Sequence, residues 1–476
     1  MSITIYNTQS RSLEPFETIE PGVVRMYVCG VTPYSQSHIG HAMSAIVFDV
    51  IKRHLTYRGY TVRHVTNFTD IDDKIIARAN QENIDPNVLV ESMIEQWHDE
   101  IDAMNVLRAD AYPRATKEVD QIITMIETLI ALGHAYSVDG DVYYRVRSFE
   151  GYGKLSHRSL DDLLSGARID VDERKEDPLD FALWKAVKPG EPWWDSPWGR
   201  GRPGWHIECS AMCSLHLGGI VDIHGGGADL IFPHHENEIA QSEAALNQQP
   251  FARYWVHNGL LQLGGEKMSK SIGNLISISE LIARKRTVAF RIAVLQSHYR
   301  VALTFTDEVL ESGQRGLERI QAALDPERTS ANSPALEPSL AEAHLTAMLT
   351  AMDQDFDTPR AMAEVFGLVR AINRSAGNAA SGDALLAARA TLSTMLEILG
   401  IDASLPTAND ALSAAPFIDL LVSVRESLRS AKLWQLSDQI RDGLGELGIT
   451  LADGPNGATW RSEETGQSPR ETKINN

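Results

Sequence analysis

Histidines and lysines set in short stretches with glycine and serine are the residues of this chain best suited to chemistry. His38-Ile39-Gly40-His41 comes first, and Lys267-Met268-Ser269-Lys270-Ser271 follows more than two hundred residues later. At a helix N-terminus, free backbone amides and the helix dipole favour anions. The imidazoles of His38 and His41 can donate hydrogen bonds to phosphate oxygens there, and Gly40 lets an adenine ring approach the backbone. Lys267 and Lys270, with Ser269 and Ser271 beside them and Gly273-Asn274 following, suit a loop closing on a triphosphate. Their positive charge would stabilise charge developing on a leaving pyrophosphate. Either motif alone is a frequent structural pattern. In this order they read as two halves of one nucleotide site, joined by folding.

Metal-ligating residue types form the second constellation. Pro233-His234-His235-Glu236-Asn237-Glu238 precedes the lysine motif, and Cys29 and Cys209 fall at strand or helix ends of the same sheet. Zinc takes cysteine thiolate, imidazole and carboxylate, and a catalytic zinc keeps one position accessible. On a helix starting after Pro233, residues three and four apart share a face. His234 and Glu238 can therefore point at one ion, and spacing equally allows His235. Spacing does not choose between a metal and a plainer reading, in which both cysteines are small buried hydrophobes and the histidines cap a helix. Cys213, four residues after Cys209, reads as a packing residue.

These residues need a scaffold that gathers them. Val23 to Val28 is a strand-like run ending in the glycine-containing loop Cys29 to Tyr34. An apolar-periodic helix runs from about Ile39 to Tyr57, and after the turn Arg58-Gly59-Tyr60 comes a second strand, Thr61 to Asn67. Strand–loop–helix–strand is the unit of an α/β, doubly wound, Rossmann-like parallel sheet, whose ligands sit at the carboxyl ends of strands. Cys29, the loop to His41 and Asn67-Phe68-Thr69-Asp70 all fall there. The catalytic domain is expected over 1–115 and 201–260, with an insertion at 116–200. The insertion is helical from Thr116 to Leu132, has a β stretch at Gly140 to Tyr144 and ends in a Trp/Pro-rich loop, Lys188 to Trp198. In the second half, the strand Ile220 to Ile223 runs into Gly225-Gly226-Gly227.

Residues 261–315 carry the lysine loop and lead out of the catalytic part. An alanine-rich bundle, 316–400, is expected to hold helices at 305–324, 338–353, 358–375 and 383–399, with breaks at Thr329 to Pro334 and Gly377 to Gly382. A small unit, 401–461, has helices near 416–430 and 434–447, then Gly448 to Leu451 and Thr459 to Arg461. The polar tail 462–476 is expected to be disordered.

Composition narrows the classes. At 476 residues, with 43% hydrophobic and 23% charged residues, the chain is an ordinary globular protein of several domains. No stretch approaches the ~20 uninterrupted apolar residues of a membrane helix. The start Met1 to Tyr6 shows no secretion signal, and three cysteines make no disulfide framework, so a cytoplasmic location is expected. A net charge of -20 argues against nonspecific polyanion binding, and leaves room for an RNA met through a local basic stripe.

At this point the chain resembles a known family. Tyr27 to Gly30, His38 to His41, Asn67 to Lys74, Gly201 to Met212, Asp222 to Glu238 and Glu266 to Asn274 are similar to the motifs of bacterial cysteinyl-tRNA synthetases, which are class I aminoacyl-tRNA synthetases. Asp438 to Asp442, Gly448-Ile449 and Thr459-Trp460-Arg461 are similar, less specifically, to the family's anticodon-binding end. The resemblance implies one zinc ion held by Cys29, Cys209, His234 and Glu238, with His224 near it. It implies an amino-acid pocket involving Thr32, Asn67, Thr69, Trp205 and Asp229. His38, His41, Lys267 and Lys270 would act in catalysis, and Gly40, Ser269, Lys270 and Ser271 would hold ATP and its Mg2+. The partners it implies are L-cysteine, ATP and tRNA(Cys), handled by a monomer.

Three features depart from the usual pattern: the order Gly30-Val31-Thr32-Pro33-Tyr34, His41 in place of asparagine, and Met43 where arginine is frequent. They are also similar to cysteine:glucosaminyl-inositol ligase, a relative that usually ends before an anticodon-binding unit. Between 401 and 461, five Lys/Arg face eight Asp/Glu, a balance of 5 - 8 = -3, so that unit offers no basic patch. Trp434 and Trp460 suit stacking on unpaired bases. Core packing serves them equally, and at a helix start Trp434 is expected in the core.

Overall fold

Parity along one strand explains how the core is laid out. In Val23–Val28, Val24, Met26 and Val28 face one side of a sheet and Tyr27 the other, because successive side chains of a strand alternate. Both sides are buried, as expected of a parallel sheet covered on both faces. In the computed structural model four parallel strands lie in the order Ala252–Asn258, Val221–Gly227, Val23–Val28, Thr61–Thr66. The structure describes residues 2–162, 174–263, 266–267, 276–326, 334–376, 382–404, 415–446, 448–454 and 457–462.

Parallel neighbours need a crossover, and the helix Ile39–Tyr57 supplies it between Val23–Val28 and Thr61–Thr66. Its buried stripe, including Ile39, Ala42, Met43, Ile46, Phe48 and Ile51, packs on the Met26–Val28 side. That core runs on into the helices Thr287–Leu295, Asp307–Leu324, Leu340–Met352, Thr358–Ser375 and Gly382–Ile398. The Tyr27 side is covered by Val119–Ala131, Trp205–Leu217 and Glu236–Leu246. The chain between the two halves of the sheet forms an antiparallel sheet of Ala135–Val138, Asp141–Tyr144, Phe181–Ala186 and Gly201–Pro203.

Val23–Val28 has Thr61–Thr66 on one side and Val221–Gly227 on the other. The winding reverses there, which opens a crevice beyond the carboxyl ends of the strands. Two glycines allow the close packing around it. A Cβ on Gly30 would stand 1.7 Å from the Asn67 carbonyl oxygen, and one on Gly225 would stand 2.2 Å from Phe48 Cε1.

Residues 1–403 and 404–476 are separate compact units. In the second, Ala415–Ser430 and Trp434–Glu446 join the hairpin of Ile449–Gly454 with Gly457–Ser462 around Ile418, Val422, Leu444 and Leu451. Trp460 packs on this core and donates its Nε1–H to Asp419 Oδ1 at 2.8 Å. Trp434 does not join it. The side chain expected in the core is 54% exposed, because helix periodicity shows which positions share a face and not which face finds a neighbour.

Candidate metal centre and nucleotide cavity

Cys29 directly follows Val23–Val28 and lies on the Tyr27 side of the sheet, where the helix Trp205–Leu217 presents Cys209. The two Sγ atoms are 3.7 Å apart. Opposite them, the irregular turn Ile231–His235, with Phe232 extended (φ -141°, ψ 131°), leads into the helix Glu236–Leu246. Its two histidines and the first-turn Glu238 converge on Cys29: one ligand atom from each of Cys29, His234, His235 and Glu238 lies within 4.8 Å of the others. His234 Nε2 is 3.0 Å from Glu238 Oε1, and Cys29 Sγ is 3.4 Å from that same oxygen. His235 Nε2 reaches Cys29 Sγ at 3.3 Å, and His224 Nε2 reaches Glu238 Oε2 at 2.9 Å. His257 fixes the far side of His235, its Nε2 being 2.7 Å from His235 Nδ1.

The electrostatics suit a cation. Burial opposes the charge on Glu238, but His224 and His234 outweigh it and hold the carboxylate well below its usual range. The hydrogen bond with Cys29 outweighs burial at Cys209 and brings its thiol down to about 6. Burial likewise pushes His234 down, yet Glu238 and Cys209 together raise it to about 10. Two negative groups are thus answered by an imidazolium. Donors that draw a proton onto an imidazole would draw a divalent cation in its place, and thiol, imidazole and carboxylate together favour a borderline-soft ion.

Beside this cluster is a cavity of about 690 Å³ whose walls include Cys29, Thr32, His38, Gly40, His41, Trp205 and Asp229. Trp205 stacks on His234, with centroids 4.5 Å apart and planes 22° apart. Asn67, Thr69 and His224 are buried behind this wall. Asn67 Oδ1 accepts from Gly30 N at 2.9 Å, and Asn67 Nδ2 donates to Thr69 Oγ1 at 3.4 Å. Asn67 therefore shapes the turn that carries Cys29.

The first signature begins its helix in an unusual way. His38 Nδ1 accepts from Gly40 N at 3.2 Å and His41 Nδ1 from His38 N at 3.4 Å, a capping box made of imidazoles stacked 3.8 Å apart. A neutral ring that accepts at Nδ1 carries its proton on Nε2, so each is set as an Nε2–H donor. Ser269, Lys270 and Ser271 lie outside the described residues, as does the side chain of Lys267, whose backbone forms the strand Glu266–Lys267. The chain re-enters at Ile276, whose carbonyl accepts from Ile39 N at 3.0 Å, while Ile278 N donates to Ser37 O at 3.1 Å. The segment that follows the second signature is therefore tied to the start of the helix that carries the first.

Sequence reasoning gave no role to His206, whose Nδ1 is 2.9 Å from His234 Nδ1, nor to Tyr34 and Lys74, which line the cavity. His206 stands three residues before Cys209 on one helix, a spacing that could have revealed it.

Such a crevice, with an imidazole-capped helix start beside a thiol, imidazole and carboxylate cluster, is of the kind that nucleotide-binding enzymes with a Rossmann-like sheet use. Residues 15–315 match the family described as tRNA synthetases class I (C) catalytic domain, and 348–403 match the DALR domain. The Cysteine--tRNA ligase of Dehalococcoides mccartyi is 51% identical over 461 residues, covering 96% of this chain and 99% of that protein. That of Geobacter sulfurreducens is 46% identical over 480 residues, covering 97% and 100%. Among solved structures, Mycobacterium tuberculosis methionyl-tRNA synthetase in complex with methionyl-adenylate superposes with a TM-score of 0.58 at 15% identity, covering 84% of this chain and 94% of that one. The last likeness is one of fold. The chain belongs to the cysteinyl-tRNA synthetase family of class I aminoacyl-tRNA synthetases.

Proposed function

We propose that this chain activates L-cysteine with ATP and transfers it to the 3′ end of tRNA(Cys). The cysteine carboxylate attacks the α-phosphorus of Mg-ATP, forming the mixed anhydride and releasing pyrophosphate. A ribose hydroxyl at the tRNA 3′ end, the 2′-hydroxyl by family likeness, then attacks the activated carbonyl and AMP leaves. The observation that carries this reading is the convergence, at one crevice, of the thiol–imidazole–carboxylate cluster and the helix start that carries the first signature.

The chain's own part is positioning and charge stabilisation. The Nε2–H groups of His38 and His41 receive phosphate oxygens at their helix start, and Lys267 and Lys270 close over the leaving pyrophosphate. Trp205, Thr69 and Asp229 orient the amino acid, and Thr32 and Asn67 hold the loop around it. Cys29, Cys209, His234 and Glu238 hold one zinc ion, with His235 close enough to share the role. When bound, zinc supplies a thiophilic position for the substrate sulfur, against which the hydroxyl of serine, a harder and far less acidic donor, competes poorly. That contact alone would select cysteine.

In this scheme 1–115 and 201–260 carry the chemistry, 261–315 the lysine loop, 316–400 the bundle and 401–461 the anticodon contact, in a cytoplasmic monomer. A match over 96% of the chain to a relative named for tRNA favours tRNA over a glucosaminyl-inositol acceptor. ATP–pyrophosphate exchange with cysteine and with serine, followed by charging of total tRNA before and after chelation, tests the reading. Exchange independent of cysteine, or tRNA left uncharged, would sink it. Lys270→Ala should lower exchange by about 10²–10³-fold, as loss of a leaving-group contact does, while zinc content holds.

A further inference from the structure

Helices Asp307–Leu324 and Thr358–Ser375 pack on each other and on the helix Thr287–Leu295. Where they meet, a cleft of about 310 Å³ is lined by Gln296, Ser312, Arg315, Arg319, Phe366 and Arg370. The convergence is dictated by spacing. Positions 312, 315 and 319 share one face of the first helix, and 366 and 370 share one face of the second. Gly316 lies behind them and lets Phe366 come close: a Cβ there would be 3.0 Å from Phe366 Cζ. The ring in turn carries the Arg319 guanidinium, 5.1 Å above its centroid, an arrangement that holds the planar group in place.

All three arginines are exposed, and among the described residues none has a carboxylate at ion-pair distance. With 64 acidic residues against 44 basic ones, the chain has carboxylates to spare for such pairs. Several other arginines do find carboxylates, among them Arg25 with Glu20, Arg58 with Asp353 and Arg202 with Glu191. Two acids of the same helices are engaged elsewhere, Glu311 by Arg286 and Glu364 by His344. Three unanswered guanidiniums, with the neutral polar groups of Gln296 and Ser312 beside them, form a site for phosphate oxygens. The cleft is open and its cations come from two helices, which fits a polymeric anion better than a single small one.

We infer that this cleft docks the phosphodiester backbone of the RNA substrate, through residues separate from those of the nucleotide cavity. The inference rests on the tRNA-charging reading above, and its test separates the two. In the full chain, Arg315→Gln, Arg319→Gln and Arg370→Gln are combined, and the same three positions are changed to Lys in a second variant. Cysteine-dependent pyrophosphate exchange, which needs no tRNA, should stay within about twofold of wild type in the glutamine variant, while the tRNA KM rises about tenfold or more. The slope of log affinity for tRNA against log salt should become shallower by about 2–3, about one for each lost phosphate contact. The lysine variant should keep the wild-type slope.

An unchanged tRNA KM and slope in a wild type that charges tRNA would overturn the cleft and leave the function standing. A lysine variant as impaired as the glutamine one would also overturn it, since packing and not charge would then be responsible. A wild type without exchange or charging would remove the function, and the cleft's assignment with it. Should the glutamine variant lose exchange through damage to the fold, Arg370→Gln alone decides at one exposed position. The expected slope change is then about 1, and no change would overturn the inference.

Discussion

Two buried clusters of charge in the same unit are built in opposite ways. At the first, Arg291 Nη1 donates to Asp49 Oδ2 at 2.7 Å and to the Leu399 carbonyl at 3.1 Å, and its Nη2 donates to the carbonyls of Met104 and Asn105 at 3.1 and 3.0 Å. Arg53 Nε adds a bond of 3.0 Å to Asp49. A guanidinium keeps its proton at any physiological pH, so this balance of charge is permanent. It joins the helix Ile39–Tyr57 to the end of Gly382–Ile398. At the second, the negative charges of Glu238 and Cys209 are answered by an imidazolium, and a proton on imidazole is exchangeable. Buried charge with a fixed partner fastens elements together. Buried charge balanced by a removable proton is prepared for another cation.

Removing a donor from the second cluster should have the largest effect. Cys209→Ser replaces the most acidic thiol of the group with a hydroxyl that does not ionise. Zinc measured by elemental analysis should fall well below one per chain, and cysteine-dependent pyrophosphate exchange should drop by about 10³-fold or more, since metal affinity and ligand deprotonation are linked. Stoichiometric zinc in this variant would erase the contrast between the clusters. The first cluster should respond in stability instead. Arg291→Met leaves the buried Asp49 with Arg53 and the Leu107 amide, at a cost of about 2–3 kcal/mol, below the full penalty of an unpaired buried charge. Urea denaturation should register that loss while pyrophosphate exchange at 25 °C stays near wild type. A variant as stable as wild type, yet defective in exchange, would mean that the junction serves the chemistry.

The sequence made the first crossover unit readable because each part carries its own local signal. Val23 to Val28 is apolar but for Arg25, Ile39 to Tyr57 has helical period, and Arg58-Gly59-Tyr60 marks the turn. The helix expected at 358–375 is the one observed, with Asp357 accepting from Arg360 N as its cap. The N-terminal hairpin of Thr4–Asn7 and Ser12–Pro15 was not legible. It has two strands of four residues, and its anchors are distant: Thr4 N donates to Asp353 O and Asn7 Nδ2 to Arg253 O. At the site, residue types gave Cys29, Cys209, the histidine pair and Glu238 as candidates, but helical spacing left both histidines open and the choice of His234 rested on the family resemblance. The chain is not helical there. Phe232 is extended and the helix begins at Glu236, so both rings reach the cluster, and a rule of faces does not apply across such a turn.

The smallest expected effect is also the one that separates those two histidines. His235 presents Nε2 to Cys29 because His257 holds its Nδ1, and His257 Nδ1 is itself 2.8 Å from Thr8 Oγ1. A partner of this kind sets the orientation and basicity of a ligating imidazole, and its loss typically weakens metal binding by about 10–100-fold. His257→Phe keeps most of the volume and removes that partner. If His235 ligates zinc, competition against a chelator should show a weakening in this range, with cysteine KM rising in parallel. If His234 is the ligand and His235 only lines the cluster, zinc affinity should match wild type, because among the described residues His234 meets His206 and Trp205 and not His257. Unchanged affinity would therefore assign the metal to His234 alone, and a drop would draw His235 into the group whose charge is open to exchange.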